Sequence, residues 1–451
     1  MPPIWARLRK EFRPLWRLAW PLALAELGWM AQGTVDLIMA GPLGAAAIGA
    51  GTLGNMLFSS VAWFGGGMLL GMDTLVAQSF GAANLRECRK TLANGIWLAI
   101  AIALPLIAIT RALIPLMRIT GTNPRVLEQF DPYLKALTWS ILPLLLYSAF
   151  RRYLQAVNIV KPVTVTLISA NLVNLVGDWV LMYGHWGVPA MGLEGSAWST
   201  VIARVYMAVF LGAIILLEES VTDGLRTAIS WQPDWKRVRR LMSLGLPAAL
   251  QIMIEISLFA VVTALAARLD AVSLAAHSIA VNVVSVTFMV PLGISSAAAV
   301  RVGQAFGRKD AHGVVISGWT AILLGAGFMA SAGLALGFLP PWIVRAFSSD
   351  PAVIASGGAL LRIAALFQLF DGLQVVTTGA LRGLGDTRTP MLAHLAGYWA
   401  IGLPIAYALC FHFAWGARGI WVGLSTALIL IGLTLLLVWR ARLGQVEFHA
   451  A

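Results

Sequence analysis

Five acidic residues lie inside stretches of the sequence that are otherwise apolar and long enough to cross a membrane. A carboxylate at the centre of a membrane-spanning helix costs roughly 2.5–3.5 kcal/mol, so it normally faces a cavity or a partner and marks the path of an ion or a proton. The alternative is a structural hydrogen bond or ion pair, for which two arginines inside these stretches are available. The acids are Glu26, Asp36, Asp178, Glu255 and Asp371, and the arginines are Arg204 and Arg362.

Amide side chains accompany the acids of the first half. Asn174 and Asp178 are four residues apart and share a helical face, and Asn171 precedes them. With Asp36, they could assemble a site of two amide oxygens and two carboxylates. Such an oxygen-only site suits a hard cation or a shared proton.

A second candidate site combines Glu255 with Asp371. Phe367, Gln368 and Gln374 stand at minus four, minus three and plus three from Asp371, on one helical face. An acid beside an aromatic face is a plausible seat for a cation. Phe367 as ordinary core filling is an equally good reading of the pattern.

The elements that carry these residues follow from the composition. The 451 residues are 59% hydrophobic and 12% charged, about half the charge of a soluble protein. A membrane-spanning helix needs roughly 20 residues, and twelve stretches qualify, which predicts an all-α integral membrane protein with twelve transmembrane helices. They are roughly 16–40, 46–72, 91–114, 132–150, 162–183, 193–217, 241–267, 272–299, 314–338, 353–377, 391–411 and 418–439.

The first half of the chain recurs in the second half. Matching residues 226 positions apart include Pro21 and Pro247, Gly67 and Gly293, and Gln78 and Gln304. Six spans per half place both halves in the membrane in the same direction, so they form parallel repeats. The predicted division is a six-helix lobe at 1–217, a polar cytoplasmic linker at 218–240 and a second six-helix lobe at 241–451.

The repeat preserves the scaffold but not the acids. Asp36 aligns with Val262, and Glu255 aligns with Trp29. Positions that recur are explained by packing, and acids that occur in one half only indicate function.

Basic residues predict the orientation. If the N-terminus and every second loop are cytoplasmic, that side carries 23 of the 32 Lys and Arg and the other side seven. This bias places both termini in the cytoplasm. The net charge of +12 is then spread over loops that face anionic lipid, which argues against a nucleic-acid partner.

Enzyme signatures are missing from the sequence. It contains no Gly-x-x-x-x-Gly-Lys-Ser/Thr loop, no Cys-x-x-Cys and no His-Glu-x-x-His, and its six histidines are dispersed. We therefore expect neither an enzyme nor a cofactor nor a resident metal. A transporter of this kind is driven by an H⁺ or Na⁺ gradient or runs downhill.

Several motifs together resemble the multidrug and toxic compound extrusion (MATE) family, in its NorM-like branch. The resemblance covers essentially the whole chain. Its motifs are Trp20-Pro21 through Asp36-x-x-Met39-Ala40-Gly41, Ala77-Gln78-Ser79-Phe80-Gly81-Ala82, Phe150-Arg151-Arg152-Tyr153-Leu154-Gln155-Ala156, Asn174-x-x-x-Asp178, Gly245-x-Pro247 with Glu255, and Leu381-Arg382-Gly383-x-Gly385-Asp386-Thr387-Arg388-x-Pro390.

The resemblance implies two lobes that export amphipathic, often cationic compounds in exchange for Na⁺ or H⁺. Family residues that carry cation coupling match Glu255 and Asp371 in the second lobe and Asp36, Asn174 and Asp178 in the first. The pair Ser199-Thr200 is a further candidate, with Glu26 and Asn282. Phe367 stands where the family often has Tyr, which weakens the case for Na⁺ there. Glu26, ten residues before Asp36, could relay protons, attract a substrate cation or pair with a polar neighbour.

The resulting hypothesis is a multidrug efflux antiporter of a bacterial-type inner membrane. Its partners are small organic substrates and the lipid bilayer, and no obligate protein partner is predicted. The alternative is a flippase for lipid-linked oligosaccharides with the same architecture. Such flippases tend to line their cavity with Arg and Lys, whereas Arg204 and Arg362 are the two basic residues that lie far from the ends of these spans.

Overall fold

The structure is a computed structural model that describes residues 4–119, 121–221 and 232–446. Within these ranges every regular element is helical. The helices are α1 (Ile4–Ala40), α2 (Ala45–Met68), α3 (Gly71–Gly81), α4 (Leu85–Ile119), α5 (Pro124–Thr138), α6 (Ile141–Ala156), α7 (Lys161–Tyr183), α8 (Leu193–Val221), α9 (Trp235–Ala266), α10 (Ala271–Gly307), α11 (Ala311–Phe338), α12 (Pro340–Arg345), α13 (Pro351–Leu384), α14 (Arg388–His394), α15 (Leu403–Tyr407) and α16 (Ala417–Gln445).

Each of the twelve predicted spans coincides with a helix. Ten helical spans in the described ranges are long and apolar enough to cross a membrane, and α5 with α6, bent by 43°, makes an eleventh. The twelfth is α1, whose 37 residues are sufficient in length. Its Glu26, Gln32 and Asp36 make it more polar than the others.

Helix breaks fall at different places in the two repeats. The first repeat interrupts its second span between α2 and α3, where Gly65, Gly66 and Gly67 precede a tight turn at 69–70. Three consecutive glycines weaken a helix, because each costs about 1 kcal/mol relative to Ala. The second repeat has Pro291, Leu292 and Gly293 there, and α10 runs unbroken for 37 residues.

The eleventh span departs from α-helical geometry in the second repeat. After α14 the chain continues as a π-helix at Leu395–Gly402, resumes as α15 and forms a second π-helix at Ala408–His412. The corresponding span of the first repeat, α7, is α-helical throughout. π-Helical segments are rare and occur frequently at functional sites.

Two compact units share the chain. Unit 1 consists of residues 1–23 and 250–451, and unit 2 consists of residues 24–249. The two boundaries follow Ala23 and Ala249, which are 226 residues apart, as the repeat is. The division into lobes at 1–217 and 241–451, joined by a linker at 218–240, stays a prediction. Residues 222–231 of this linker lie outside the described residues.

Two glycines of the repeat allow matching close contacts, one in each unit. A Cβ on Gly67 would lie 2.6 Å from the Cα of Ala249 in unit 2, and a Cβ on Gly293 would lie 2.6 Å from the Cα of Ala23 in unit 1. Only a residue without a side chain lets two helix backbones approach this closely. The recurrence of these glycines is therefore explained by packing.

Candidate functional site

Asn174 is the centre of a buried polar cluster in unit 2. Its Nδ2 donates hydrogen bonds to Asp36 Oδ1 at 2.7 Å and to Asp178 Oδ2 at 3.0 Å. Its Oδ1 accepts from Gln32 Nε2 at 2.6 Å and from Thr200 Oγ1 at 3.4 Å. Helices α1, α7 and α8 thus meet at one amide whose donors and acceptor are all used.

Asp178 is fully buried and has further partners. Ser199 Oγ donates to its second carboxylate oxygen. Asp36 and Asp178 both accept from the Asn174 amide nitrogen, so their carboxyl groups lie near each other. A hydrogen bond directly between the two acids would need one proton, since two carboxylate anions can only accept.

Arg204 is the cation nearest to this cluster. Its charge acts on Asp36, but its guanidinium donates to Ser140 Oγ and lies over the rings of Phe58 and Trp29, with its Cζ 4.6 and 5.7 Å from the ring centres. Among the residues that the structure describes, neither Asp36 nor Asp178 forms an ion pair within 4.0 Å.

The predicted oxygen-only site does not assemble as expected. Asn171 lies outside the cluster and donates to the carbonyl oxygen of Gly28 at 3.1 Å. Asn174 turns its nitrogen, rather than its oxygen, towards the two carboxylates. The prediction assumed that amide oxygens face the acids, whereas two adjacent acceptors draw the N–H groups instead.

Glu26 is not part of this cluster. It is buried and forms an ion pair with Arg151 of α6, with 8% and 9% of the two side chains exposed. The sequence offered Arg204 and Arg362 as structural partners for the acids, whereas the partner of Glu26 is Arg151. The helix extends to Ala156, so Arg151 reaches the interior, as does Arg152, which binds Asp73 at 3.1 Å.

Unit 1 holds the second pair of acids. Asp371 of α13 is 3% exposed and accepts one hydrogen bond, from Gln374 Nε2 at 3.0 Å. Glu255 of α9 is half-buried and, within the described part of the chain, has neither a hydrogen bond nor an ion pair. The two carboxylates are close enough for their charges to interact.

Phe367 takes the core-filling role that the sequence left open. It is buried and stacks on Trp421, with ring centres 6.1 Å apart and planes inclined by 27°. Trp421 Nε1 in turn donates to His277 Nδ1 at 3.1 Å. Gln368, also expected beside Asp371, donates instead to Thr287 Oγ1 at 2.8 Å.

Of the remaining candidates, the structure brings Thr200 and Ser199 to the Asn174 cluster and leaves Asn282 outside. Asn282 is exposed on α10 and has no hydrogen bond to either cluster in the described residues. Sequence reasoning missed Gln32, although its position one turn before Asp36 is a usable signal. It gave no signal for Tyr398, a fully buried side chain within electrostatic range of Glu255 and Asp371.

A metal-ligand set is not apparent. Among the described residues, no group of three or more His, Cys, Asp or Glu side chains could hold a metal ion. Each acid cluster consists instead of two carboxylates with amides, hydroxyls or aromatic rings nearby. These are groups that suit a proton or a weakly held monovalent cation.

Helices of this length and apolarity, with carboxylates placed inside them, define a multi-pass membrane protein. A family model described as MatE matches the chain twice, at residues 21–180 and 247–408. The chain therefore belongs to the MatE family. The two matched segments begin 226 residues apart, which confirms the internal repeat.

Individual relatives agree with the family assignment. A "Probable multidrug resistance protein NorM" of Mesorhizobium japonicum is 37% identical over 441 residues, covering 96% of this chain and 94% of that protein. A "Multidrug resistance protein NorM" of Burkholderia vietnamiensis is 35% identical, with the same coverage.

Solved structures share the fold. The crystal structure of the eukaryotic MATE transporter AtDTX14 matches with a TM-score of 0.87 and 19% identity, covering 98% of this chain and 99% of that one. A MATE structure in the straight conformation matches with a TM-score of 0.88 and 15% identity over 97% of both chains. The predicted fold of twelve helices in two lobes is confirmed.

Proposed function

We propose that this protein is a multidrug efflux antiporter that exports small, amphipathic organic cations. Support comes from its membership of the MatE family and from two relatives, 35% and 37% identical, that are named multidrug resistance protein NorM. The observation that carries the proposal is the acid pair in each unit. In the described residues, Asp36, Asp178, Glu255 and Asp371 all lie inside spans without an ion-pair partner.

We further propose H⁺ as the coupling ion. In unit 2, the two carboxyl groups are placed to share a proton, and the Asn174 N–H groups face them where a metal cation would need oxygen. In unit 1, Phe367 supplies no hydroxyl ligand and packs on Trp421. Both arrangements favour protons over Na⁺.

In this mechanism, protons that enter from outside neutralise the carboxylates and weaken their attraction for the substrate cation. The substrate leaves outward, and release of the protons inward restores the charge. One charge crossing about 150 mV releases about 3.5 kcal/mol. Because one-for-one exchange of H⁺ for a monovalent cation moves no net charge, this energy becomes available when a second proton enters. It then sustains roughly a 300-fold gradient of the substrate, at about 1.4 kcal/mol per tenfold step.

The proposed location is a bacterial-type inner membrane with both termini in the cytoplasm. The distribution of Lys and Arg, 23 on one side and seven on the other, supports this orientation. Cysteine labelling from either side of the membrane, at single cysteines placed in the loops after α4 and before α9, tests it.

The test is transport of a fluorescent organic cation in proteoliposomes, with a pH gradient or a Na⁺ gradient imposed alone. We expect efflux on the pH gradient, loss of coupled transport in Asp371→Asn, and wild-type transport in Asp270→Asn, an exposed acid outside the spans. Full drug resistance of cells carrying Asp371→Asn at equal expression would overturn the assignment of Asp371. Efflux on Na⁺ alone would overturn H⁺ as the ion, and no efflux on either gradient would favour the flippase alternative.

A further inference from the structure

Polar side chains continue from the Glu255–Asp371 pair towards one end of unit 1. On α9, Gln251 stands one turn before Glu255, and on the eleventh span His394 stands one turn before Tyr398. His394 and Tyr398 are fully buried, and Gln251 is 9% exposed. Gln251 Nε2 lies 3.4 Å from His394 Nε2 and joins the two helices at this level.

The hydrogen bonds of His394 define which nitrogen carries its proton. Nδ1 lies 2.7 Å from the carbonyl oxygen of Pro390, which can only accept, so Nδ1 carries the hydrogen. Nε2 is therefore the acceptor for the Gln251 amide. The imidazole thus presents its basic nitrogen towards α9, in the interior of the unit, where the Gln251 amide binds it.

Tyr398 bridges the gap between His394 and the acids. Its ring contacts the His394 ring edge to face, with centres 5.6 Å apart. Its hydroxyl group lies within electrostatic range of Glu255 and Asp371, and its side chain lies beside Gln374, which donates to Asp371. Tyr398 lies in the π-helix, and its neighbour Trp399 fixes that helix to α9 through a 3.2 Å hydrogen bond to the Ile254 carbonyl.

Several buried oxygens, at Tyr398 and along α13, have no hydrogen-bond partner among the described residues. They are Tyr398 Oη, Gln374 Oε1 and, further along α13, Thr377 Oγ1 and Thr378 Oγ1. More than nine in ten buried polar groups are hydrogen-bonded to protein or water. A polar interior with several such groups is where ordered water is expected, so we assign water to this part of unit 1.

The groups also stand at successive depths from the loop that joins α13 to α14. At 1.5 Å per residue, His394 lies about 9 Å above Arg388 and Tyr398 about 15 Å. Asp371, thirteen residues before Leu384, lies about 20 Å from the same loop. Arg382 and Arg388 are among the basic residues that place this loop on the cytoplasmic side.

We propose that unit 1 contains a hydrated proton pathway from the Glu255–Asp371 pair through Tyr398 to His394 and on to the cytoplasm. The pathway rests on the proposed function, because it is the route by which the coupling proton leaves. A carboxyl O–H gives its proton to water held by Tyr398 and Gln374, and that water passes a proton to His394 Nε2. The carboxyl becomes a carboxylate, the imidazole becomes an imidazolium, and Nε2 then releases the proton to water on the loop side.

Gln251 is suited to both charge states of His394. Its amide donates N–H to the neutral Nε2, and a rotation of about 180° presents its oxygen to the protonated Nε2–H. Besides Tyr398 on its own span, the titratable groups that the described structure places near this route are Glu255 on α9 and Asp371 on α13.

The first repeat shows which property of His394 is particular to unit 1. Pro390 corresponds to Pro162, and His394 therefore corresponds to Thr166, whose hydroxyl donates to the Pro162 carbonyl at the same distance of 2.7 Å. Both residues satisfy the same carbonyl, but His394 adds a second nitrogen. The counterparts of Gln251 and Tyr398 are Ala25 and Ala170, so the route occurs in one repeat only, as its acids do.

His394→Thr is the test, because it copies the first repeat: it keeps a donor for the Pro390 carbonyl and removes the imidazole ring with its basic nitrogen. In proteoliposomes we expect transport on a pH gradient to fall at least about tenfold, as for loss of a proton-transfer group, and its pH dependence to flatten. Equilibrium binding of the fluorescent cation should stay within about twofold of wild type, since His394 does not hold substrate. The matched control, Thr166→Val, disturbs the equivalent helix turn and should keep the wild-type pH profile.

Each outcome decides one question. Wild-type rate and pH profile in His394→Thr, with a wild type that responds to the pH gradient, would overturn the pathway and leave the proposed function intact. A wild type that exports on Na⁺ and ignores the pH gradient would overturn both. If His394→Thr folds poorly, His394→Gln, which can also donate to the Pro390 carbonyl, takes its place with the same expected result. Equal slowing and loss of binding in Thr166→Val would mean that the local turn is responsible, which contradicts the pathway.

Discussion

The acids of unit 2 and those of unit 1 stand on the same repeated scaffold but in opposite surroundings. Asp178 accepts hydrogen bonds from Asn174 and Ser199, and Asn174 also binds Asp36. Asp371 accepts one hydrogen bond, and Glu255 accepts none from the described residues. The first pair is fixed by its neighbours, whereas the second depends on water or on the transported ions. We infer that changes in unit 2 act first on stability and changes in unit 1 act first on transport.

The largest expected difference lies between two glutamates, Glu26 of unit 2 and Glu255 of unit 1. Removing one member of a buried ion pair leaves a buried charge without a partner, which costs about 3–5 kcal/mol. Glu26→Gln leaves Arg151 in that state, because both side chains are about nine-tenths buried. Glu255→Gln removes no ion pair found in the structure. Thermal unfolding in detergent should show a large loss for the first variant and little change for the second.

The control for this comparison is Glu26→Met with Arg151→Met, which removes both charges and should recover much of the lost stability. Transport should show the reverse order, with Glu255→Gln inactive on a pH gradient although it is folded. A stable Glu26→Gln protein with defective transport would instead make Glu26 a coupling residue.

The next expected effect compares two amides. Asn174→Leu removes the Asn174 bonds of Asp36, Asp178 and Gln32 and leaves Asp178 with Ser199 alone, and each polar group left unpaired in the interior costs about 1–3 kcal/mol. Gln374→Leu breaks one bond, to Asp371, and also removes an oxygen that was unpaired among the described residues. Denaturant unfolding should therefore show a loss several times larger for Asn174→Leu. Equal losses would contradict our inference that hydrogen bonds hold the Asp36–Asp178 pair more firmly than the Glu255–Asp371 pair.

These differences show what sequence could and could not predict. Hydropathy and the 226-residue repeat together predicted the spans, including the more polar α1, because a helix that crosses a membrane needs a long and mostly apolar stretch. Helical spacing placed Asn174 with Asp178, since residues four apart share a face. The same reasoning could not pair Glu26 with Arg151, 125 residues away, or show that Phe367 packs on Trp421. Contacts between helices depend on rotation and bends, which a single sequence does not specify.

A smaller effect is expected at two ion pairs that share one repeated position, which holds an acid in unit 1 and a base in unit 2. In unit 1, Glu11 of α1 accepts from Arg301 at 2.7 and 2.8 Å and from Ser317 at 2.9 Å. In unit 2, the residue 226 positions after Glu11 is Arg237, which donates to Glu87 at 2.6 Å and to Thr91, the counterpart of Ser317, at 3.1 Å. Each pair thus holds the first turns of a long helix to its unit.

Because the shared position holds an acid, Glu11, in unit 1 and a base, Arg237, in unit 2, we expect that the two charges of one pair can be exchanged. Glu11→Arg alone places two cations together and should lower the stability by about 1 kcal/mol, the scale of partly exposed pairs. Adding Arg301→Glu should restore most of it. Thermal unfolding of the two variants measures this, and high salt should shrink the difference. A double variant as unstable as the single one would mean that position, as well as charge, is specified.

The smallest expected effect concerns the start of the second span in each repeat. Asp270 of unit 1 caps α10 by accepting from the Ser273 backbone N–H at 2.8 Å, and this bond lowers the pKa of Asp270 below its ordinary value of 3.8. Its counterpart in unit 2 is Gly44, which caps α2 without a side chain. Asp270→Gly should slightly lower the unfolding temperature at neutral pH.

The sign of its pH dependence follows from the lowered pKa of Asp270. A carboxylate whose pKa is lower in the folded state stabilises the fold above its unfolded pKa and loses that contribution as the pH falls through its folded pKa. The difference in unfolding temperature between wild type and Asp270→Gly should therefore be full at about pH 6 and shrink towards about pH 3. A difference that is constant over this range would mean that the charge of Asp270 does not contribute to the cap. The effect of Asp270→Gly would then come from the flexible backbone of the introduced glycine.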